Sequence, residues 1–269
     1  MINVGIAGAA GRMGRLLVKA ACEHPELQVT AAWDIAGNPA LGQDAGQLAG
    51  VAPLGVALVD SPEKGLAACD LAIDFTVPEA TQHLAGLAQA MGKFLVVGTT
   101  GLNPSQVESL RQAGKKTGVV YATNFSTGVN LLWILARKAA AILGDQFDAE
   151  IVEFHHNMKK DAPSGTAVTL LEAICQGKGL DPQTSVRHGR EGLVGSRTKA
   201  EVGMHAVRAG DIVGDHIALF AGPGERLEIR HQAHSRETFA RGAARAAAWV
   251  SRQKPGFYHI SDVLGLSEL

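Results

Sequence analysis

The sequence predicts an α/β fold in two parts: an N-terminal doubly wound parallel sheet and a C-terminal α+β domain with a mixed or antiparallel sheet. Three observations predict it. A strand, a glycine-rich turn and a helix open the chain. Apolar runs of strand length then alternate with helical runs up to about residue 126. Beyond residue 200, strand-like runs follow one another with only short glycine-containing connections between them.

The first strand covers 2–7, with no basic region, apolar segment and cleavage site of a secretory signal. Gly8-Ala9-Ala10-Gly11-Arg12-Met13-Gly14 follows, then an amphipathic helix over about 15–22. The spacing G-x-x-G-x-x-G is a variant of the dinucleotide fingerprint, in which glycines permit the tight turn and let backbone approach a pyrophosphate on the helix N-terminus. A second strand over 28–33 ends at Asp34, about twenty residues past the turn, where an acid accepts hydrogen bonds from the adenosine ribose. The N-terminal half is therefore Rossmann-like. Strands at 71–75, 94–98 and 118–122 alternate with helices near 79–91 and 104–116. Ligands bind at the C-terminal ends of such strands, so Thr76, Gly98-Thr99-Thr100-Gly101 and Ala122-Thr123-Asn124-Phe125 are expected at the cofactor cleft.

The pattern changes after Ser126. A long helix over 129–143 precedes a strand over 147–154 that ends near His155. Pro163 bars helical geometry for Ala162, and Ser164 caps the next helix, with Gly165 and Thr166 in its first turn. Unpaired backbone N–H groups and the positive dipole end there favour a carboxylate or phosphate, and Lys159 adds a full charge. His155 and His156 stand beside this cradle as candidate proton donors. A metal centre is not expected, because the two histidines diverge on a strand and no further ligand lies at suitable spacing. The polar stretch 177–199 reads as an irregular, lid-like loop. Runs at 201–208, 212–221 and 226–233 read as strands in successive hairpins, the last with one polar face. Ser235 is the expected cap of a final Ala-rich helix to about 251, which returns to the first domain. The expected domains are thus 1–126 with 236–269, for the dinucleotide, and 127–235, whose polar sheet face is either solvated or joined to another subunit.

Composition removes other classes. A net charge of −1 from 25 basic and 26 acidic residues gives no footprint for nucleic acid. The most apolar helical run, near Leu131–Ala136, is cut by Arg137-Lys138 and is too short for a membrane. Cys22, Cys69 and Cys175, odd in number and widely spaced, fit buried reduced thiols and a soluble cytoplasmic protein.

These residues resemble the 4-hydroxy-tetrahydrodipicolinate reductase (dihydrodipicolinate reductase) family nearly end to end. The resemblance rests on Gly8–Gly14, Asp74-Phe75-Thr76, Gly98–Gly101, Ala122–Ser126, Glu153–Ala167 and Val207–Gly214. It implies binding of NADH, NADPH or both by Gly8, Ala9, Ala10, Gly11, Arg12, Met13, Asp34, Gly98, Thr99, Thr100, Ala122, Thr123, Asn124 and Phe125. The implied substrate is a ring imine with two carboxylates, held by His156, Lys159, Gly165 and Thr166. His155 and Lys159 match the family's catalytic pair. The resemblance also implies a homotetramer assembled through the second domain's sheet, and a place in lysine and diaminopimelate biosynthesis. Either Lys159 or His155 supplies the proton that follows hydride addition. Asp34 followed by Ile35, where many relatives carry arginine, favours NADH or dual use, since only Arg12 remains to meet a 2′-phosphate. The alternatives are another nicotinamide oxidoreductase acting on an imine or carbonyl acid, and a non-catalytic NAD(P)H sensor.

Overall fold

The structure, a computed structural model, describes residues 1–266, so positions 267–269 of the expected first domain lie outside the described residues. The chain divides into two compact units. The first begins with β1 (Ile2–Ala7), α1 (Arg12–Glu23), β2 (Leu27–Trp33), α2 (Ala45–Leu48), β3 (Leu58–Val59), α3 (Pro62–Ala67), β4 (Leu71–Asp74), α4 (Pro78–Met91), β5 (Phe94–Val97), α5 (Pro104–Gly114) and β6 (Gly118–Tyr121). The second holds α6 (Thr127–Leu143), β7 (Asp148–His155), α7 (Gly165–Lys178), α8 (Pro182–Ser185), β8 (Val186–His188), β9 (Val202–Arg208), β10 (Gly214–Gly222) and β11 (Glu225–Ala233). The chain then rejoins the first unit through α9 (Glu237–Val250), β12 (Gly256–His259) and α10 (Ile260–Val263).

The first sheet is parallel throughout, in the order β12-β6-β5-β4-β1-β2-β3. Order reverses beside β1, which places a crevice at its C-terminal end. Both faces are covered. Ile73 and Val96 pack with Leu17, Ala21, Ala243 and Ala247 on the α1 and α9 side, while Ala72 and Leu95 pack with Leu84, Ala88 and Leu110 on the α4 and α5 side. Strands buried on two faces are apolar along their length, and β4 is buried throughout, with Asp74 at its C-terminal end its one polar position.

The second sheet is mixed, in the order β11-β10-β7-β9-β8. The β10–β11 hairpin forms as expected, but the expected hairpin between β9 and β10 does not. β7 lies between them, parallel to β9 and antiparallel to β10. The reason is that β7 is a central strand needing partners on both edges, so the connection after Arg208 crosses its end, with Ala209 N–H donating to His155 O at 2.9 Å. β7 alternates strictly, with Ala149, Ile151, Glu153 and His155 on the buried face. The first two join the core formed with α6 and α7.

Three further expectations are corrected. Stretch 177–199 is not wholly irregular: α7 runs to Lys178, and α8 and edge strand β8 follow. The rest is pinned by Arg190 and Arg197, which both bond Glu150. Burial pushes the Glu150 carboxyl up, but hydrogen bonds from Arg190, His205 and Arg197 outweigh it and hold it down at about 2. The cap position of α9 is Arg236, whose own backbone is helical, and not Ser235. Cys22 is exposed on the solvent face of α1, whereas Cys69 and Cys175 are buried.

Candidate active site

In the first unit, the glycine turn is sterically obligatory. Gly8 has φ +64°, and a Cβ there would lie 2.8 Å from Thr76 Cγ2. A Cβ on Gly14 would lie 2.0 Å from Gly8 O, so only glycine lets α1 start this close to β1. Gly11 is the N-cap of α1 and offers no side chain to the helix's opening N–H groups. Asp34, just past β2, accepts from Ala10 N at 3.0 Å and Ile35 N at 2.9 Å, tying the second strand's end to the turn.

Two concavities flank this turn. One, of about 440 Å³, includes Gly8, Ala10, Gly11, Asp34, Ile35 and Thr76 in its lining. The other, of about 260 Å³, includes Arg12, Met13, Gly98, Thr100, Thr123, Asn124 and Phe125. Ala9, Thr99 and Ala122 are instead buried beneath the surface. Thr99 belongs to a network the sequence reading missed, centred on Asp74, which is fully buried. Burial pushes the Asp74 carboxyl up, although the Thr76 and Thr81 hydroxyls both donate to it. Thr76 N–H donates to Asp74 Oδ1 and Thr99 Oγ1, each at 3.0 Å, which orients the loop after β4.

In the second unit, α7 begins at Gly165 with Ser164 as its N-cap, the Ser164 hydroxyl accepting from Ala167 N at 3.3 Å. Gly165 and Thr166 thus open the helix as the sequence reading expects. His155 ends β7, and its Nδ1 lies 2.5 Å from Glu153 Oε2. Glu153 is completely buried and His155 is 9% exposed. Arg208 closes a two-pronged bridge on Glu153, with Nη2 at 2.7 Å from Oε1 and Nη1 at 2.9 Å from Oε2. Ser164 N donates to Oε1 at 3.2 Å. Burial pushes the Glu153 carboxyl up, but hydrogen bonds from His155 and Arg208, with their charges, hold it down at about 2.

Sheet register explains the convergence. His155 faces Arg208 across β7–β9, and Glu153 faces His216 across β7–β10. The His155 and His216 rings meet edge to face at 5.2 Å, and His216 Nε2 lies 3.1 Å from Ser164 Oγ. Burial, then the neighbouring His155, push His216 down to about 3, so it stays neutral. Lys159 Nζ bonds both carboxylate oxygens of Asp161 at 2.9 Å, and the Asp161 carbonyl accepts from Arg208 Nη2 at 2.8 Å. Lys159 and His155 are therefore joined through Asp161, Arg208 and Glu153. His156 follows the strand end and is half-buried. The roles of Arg208 and His216 escaped the sequence reading. Arg208 had a signal in Val207–Gly214, whereas His216 is a lone strand histidine with none.

The two halves match two family models in turn: the N-terminus of dihydrodipicolinate reductase over residues 2–125, and its C-terminus over 128–264. The chain is 49% identical to a 4-hydroxy-tetrahydrodipicolinate reductase from Alkalilimnicola ehrlichii, over 98% of this chain and 99% of that one. It is 48% identical to one from Anaeromyxobacter dehalogenans, over 99% and 98%. Among solved structures it resembles a dipicolinate-bound dihydrodipicolinate reductase from Paenisporosarcina sp. TG-14, with a TM-score of 0.77 and 26% identity over 96% of this chain and 97% of that one. With a glycine turn that only glycine can make, a capped α7 following paired histidines, and this likeness over its whole length, the chain belongs to the dihydrodipicolinate reductase family.

Proposed function

We propose that this chain reduces the dihydrodipicolinate-type cyclic imine formed from 4-hydroxy-tetrahydrodipicolinate to tetrahydrodipicolinate, in lysine and diaminopimelate biosynthesis. The observation that carries it is the β7–α7 block, which sets His155, Lys159 and the opening of a capped helix in one constellation. The first unit fits a dinucleotide. Gly8, Ala9, Ala10, Gly11, Arg12 and Met13 form the phosphate turn, Asp34 meets the ribose, and Gly98, Thr99, Thr100 and Ala122–Phe125 frame the remainder, with Thr99 and Ala122 acting from beneath the surface. When bound, a reduced nicotinamide supplies the hydride.

His156, Lys159, Gly165 and Thr166 hold the two substrate carboxylates, through ammonium charge, the first-turn N–H groups of α7 and the Thr166 hydroxyl. Hydride addition leaves an electron-rich, enamine-like ring, which takes its proton from Lys159 or His155. Preference for NADH, or dual use, is supported by Ile35, which is 74% exposed and carries no charge toward a 2′-phosphate. Arg12 belongs to the other concavity's lining from Asp34. Residues 1–126 and 236–269 then serve the cofactor, and 127–235 the substrate and the contacts between subunits. Assembly as a homotetramer through the second sheet is supported by β11, whose outward Arg226, Glu228, Arg230 and Gln232 are all exposed. Among the described residues no helix is long and apolar enough to cross a membrane, and the three cysteines are free, which supports a cytoplasmic enzyme.

The test generates substrate from pyruvate and aspartate semialdehyde with the upstream synthase and follows NADH absorbance. Substrate-dependent oxidation is expected. NADH binding without turnover would overturn the proposal.

A further inference from the structure

A buried carboxylate in the inward row of β7 calls for an explanation. That row continues the positions of Ala149 and Ile151, which are core residues, and Glu153 is fully buried within it. Removing a carboxylate from water costs several kcal/mol, and apolar residues in place of a buried ion pair commonly serve stability as well or better. Stability alone therefore does not call for glutamate here. What the carboxylate does is make four hydrogen bonds that use both oxygens: two from Arg208, one from His155 Nδ1 and one from the backbone of Ser164.

We infer that Glu153 is a positioning residue of the reaction: it holds His155 by Nδ1, so that Nε2 is the nitrogen that gains and loses the proton, and anchors the cap of α7 to the same carboxylate. The inference rests on the function proposed above and adds a residue to it. An ionised carboxylate only accepts hydrogen bonds, so the imidazole nitrogen facing it carries hydrogen in both charge states. The His216 and His155 rings pack edge to face, their centroids 5.2 Å apart. Gly214 leaves room at Nε2, since a Cβ there would stand 3.0 Å from that atom. The proton-bearing group and the carboxylate-binding helix start are thus referred to one point, as a relay in which a carboxylate sets a histidine's tautomer.

The charged and titratable groups around His155 are Glu153 on its own strand, Arg208 on β9, His216 on β10, and Lys159 with Asp161 in the segment after β7. Asp215 faces away and pairs with Arg230. Glu153→Gln removes the negative charge that favours the imidazolium, whereas Arg208→Met removes the opposing positive charge.

The experiment measures kcat against pH for wild type, Glu153→Gln, Glu153→Asp and Arg208→Met, with circular dichroism and Tm as the check on folding and His155 titrated by NMR. Expected are a fall in kcat of roughly 10- to 100-fold for Glu153→Gln, an alkaline limb moved to lower pH, and a limb restored by Glu153→Asp. Arg208→Met moves the limb to higher pH. Should Glu153→Gln not fold, the limbs of the other two variants decide. A limb unmoved in every folded variant, whatever its rate, overturns the inference and leaves Glu153 a structural residue. If wild type does not turn over, the proposed function has failed instead. The NMR titration of His155, shifted or unshifted by the substitutions, then decides the positioning role alone.

Discussion

Replacing Lys159 by alanine separates chemistry from structure at a single position. Its ammonium bonds Asp161, whose side chain is 64% exposed, while Lys159 itself is 20% exposed. A pair open to water on one side contributes about 0–1 kcal/mol, so Lys159→Ala should leave Tm within about 3 °C of wild type. The glycine turn and Asp34 belong to the other unit, so NADH affinity should be unchanged. If Lys159 delivers the proton and fixes a substrate carboxylate, kcat falls by roughly 10²- to 10⁴-fold. That fall is about 3–5 kcal/mol of lost transition-state stabilisation, several times what the exposed ion pair can account for. Stopped-flow and steady-state NADH absorbance with enzymatically generated substrate measure it, with calorimetry on the same samples. A raised KM with kcat unchanged would make Lys159 a binding residue only, and would refute its role as proton donor.

Four further outcomes are expected. Gly14→Ala, which forces a Cβ to within 2.0 Å of Gly8 O, should abolish NADH binding by titration calorimetry; retained affinity would show that the turn tolerates a side chain. Ser164→Ala removes the α7 cap and strips buried His216 Nε2 of its contact with the Ser164 hydroxyl, while His216 Nδ1 already has no partner. It should cost roughly 2–4 kcal/mol, seen as a Tm lower by several degrees; an unchanged Tm would show that neither contact contributes. Acid should weaken the fold in two stages, read from urea midpoints at pH 7, 5.5, 4 and 2.5. His216 has an ordinary value of 6.5 and is pushed down to about 3, so the unfolded chain binds its proton first and stability falls below pH 6.5. Glu153, ordinarily 4.5 and held at about 2, contributes roughly 3 kcal/mol that is complete above pH 4.5 and disappears as pH falls through 2. Midpoints constant from pH 7 to 4 would contradict the His216 stage, and midpoints constant from pH 4 to 2.5 the Glu153 stage. Finally, kcat/KM for NADPH should not exceed that for NADH, because Ile35 offers no cation; a large excess with NADPH would transfer the preference to Arg12.

How much could be read in advance depends on distance along the chain. The glycine turn, Asp34 and the Ser164 cap are local features, set by φ values, spacing and the order of proline, serine and glycine, and the structure places them where the spacing indicates. Short elements with weak periodicity, such as α3, β3 and β12, did not stand out, since their apolar residues are too few to show a repeat. The error at Ser235 is of the same size as a helix boundary, where a single residue's backbone angles decide the cap.

By itself, then, the chain of residues determined the two-part architecture, the nucleotide turn, and the pairing of histidines with a helix start, because each arises from neighbours within about a dozen positions. Only tertiary structure decided that β7 separates β9 from β10, that Arg208 and His216 meet Glu153 from opposite sides, and that Glu150 gathers the arginines of the following loop. Those contacts span roughly 40 to 65 residues. Pairing between strands that far apart is settled by competition among whole sheet arrangements, and the local pattern of any one strand is compatible with several of them.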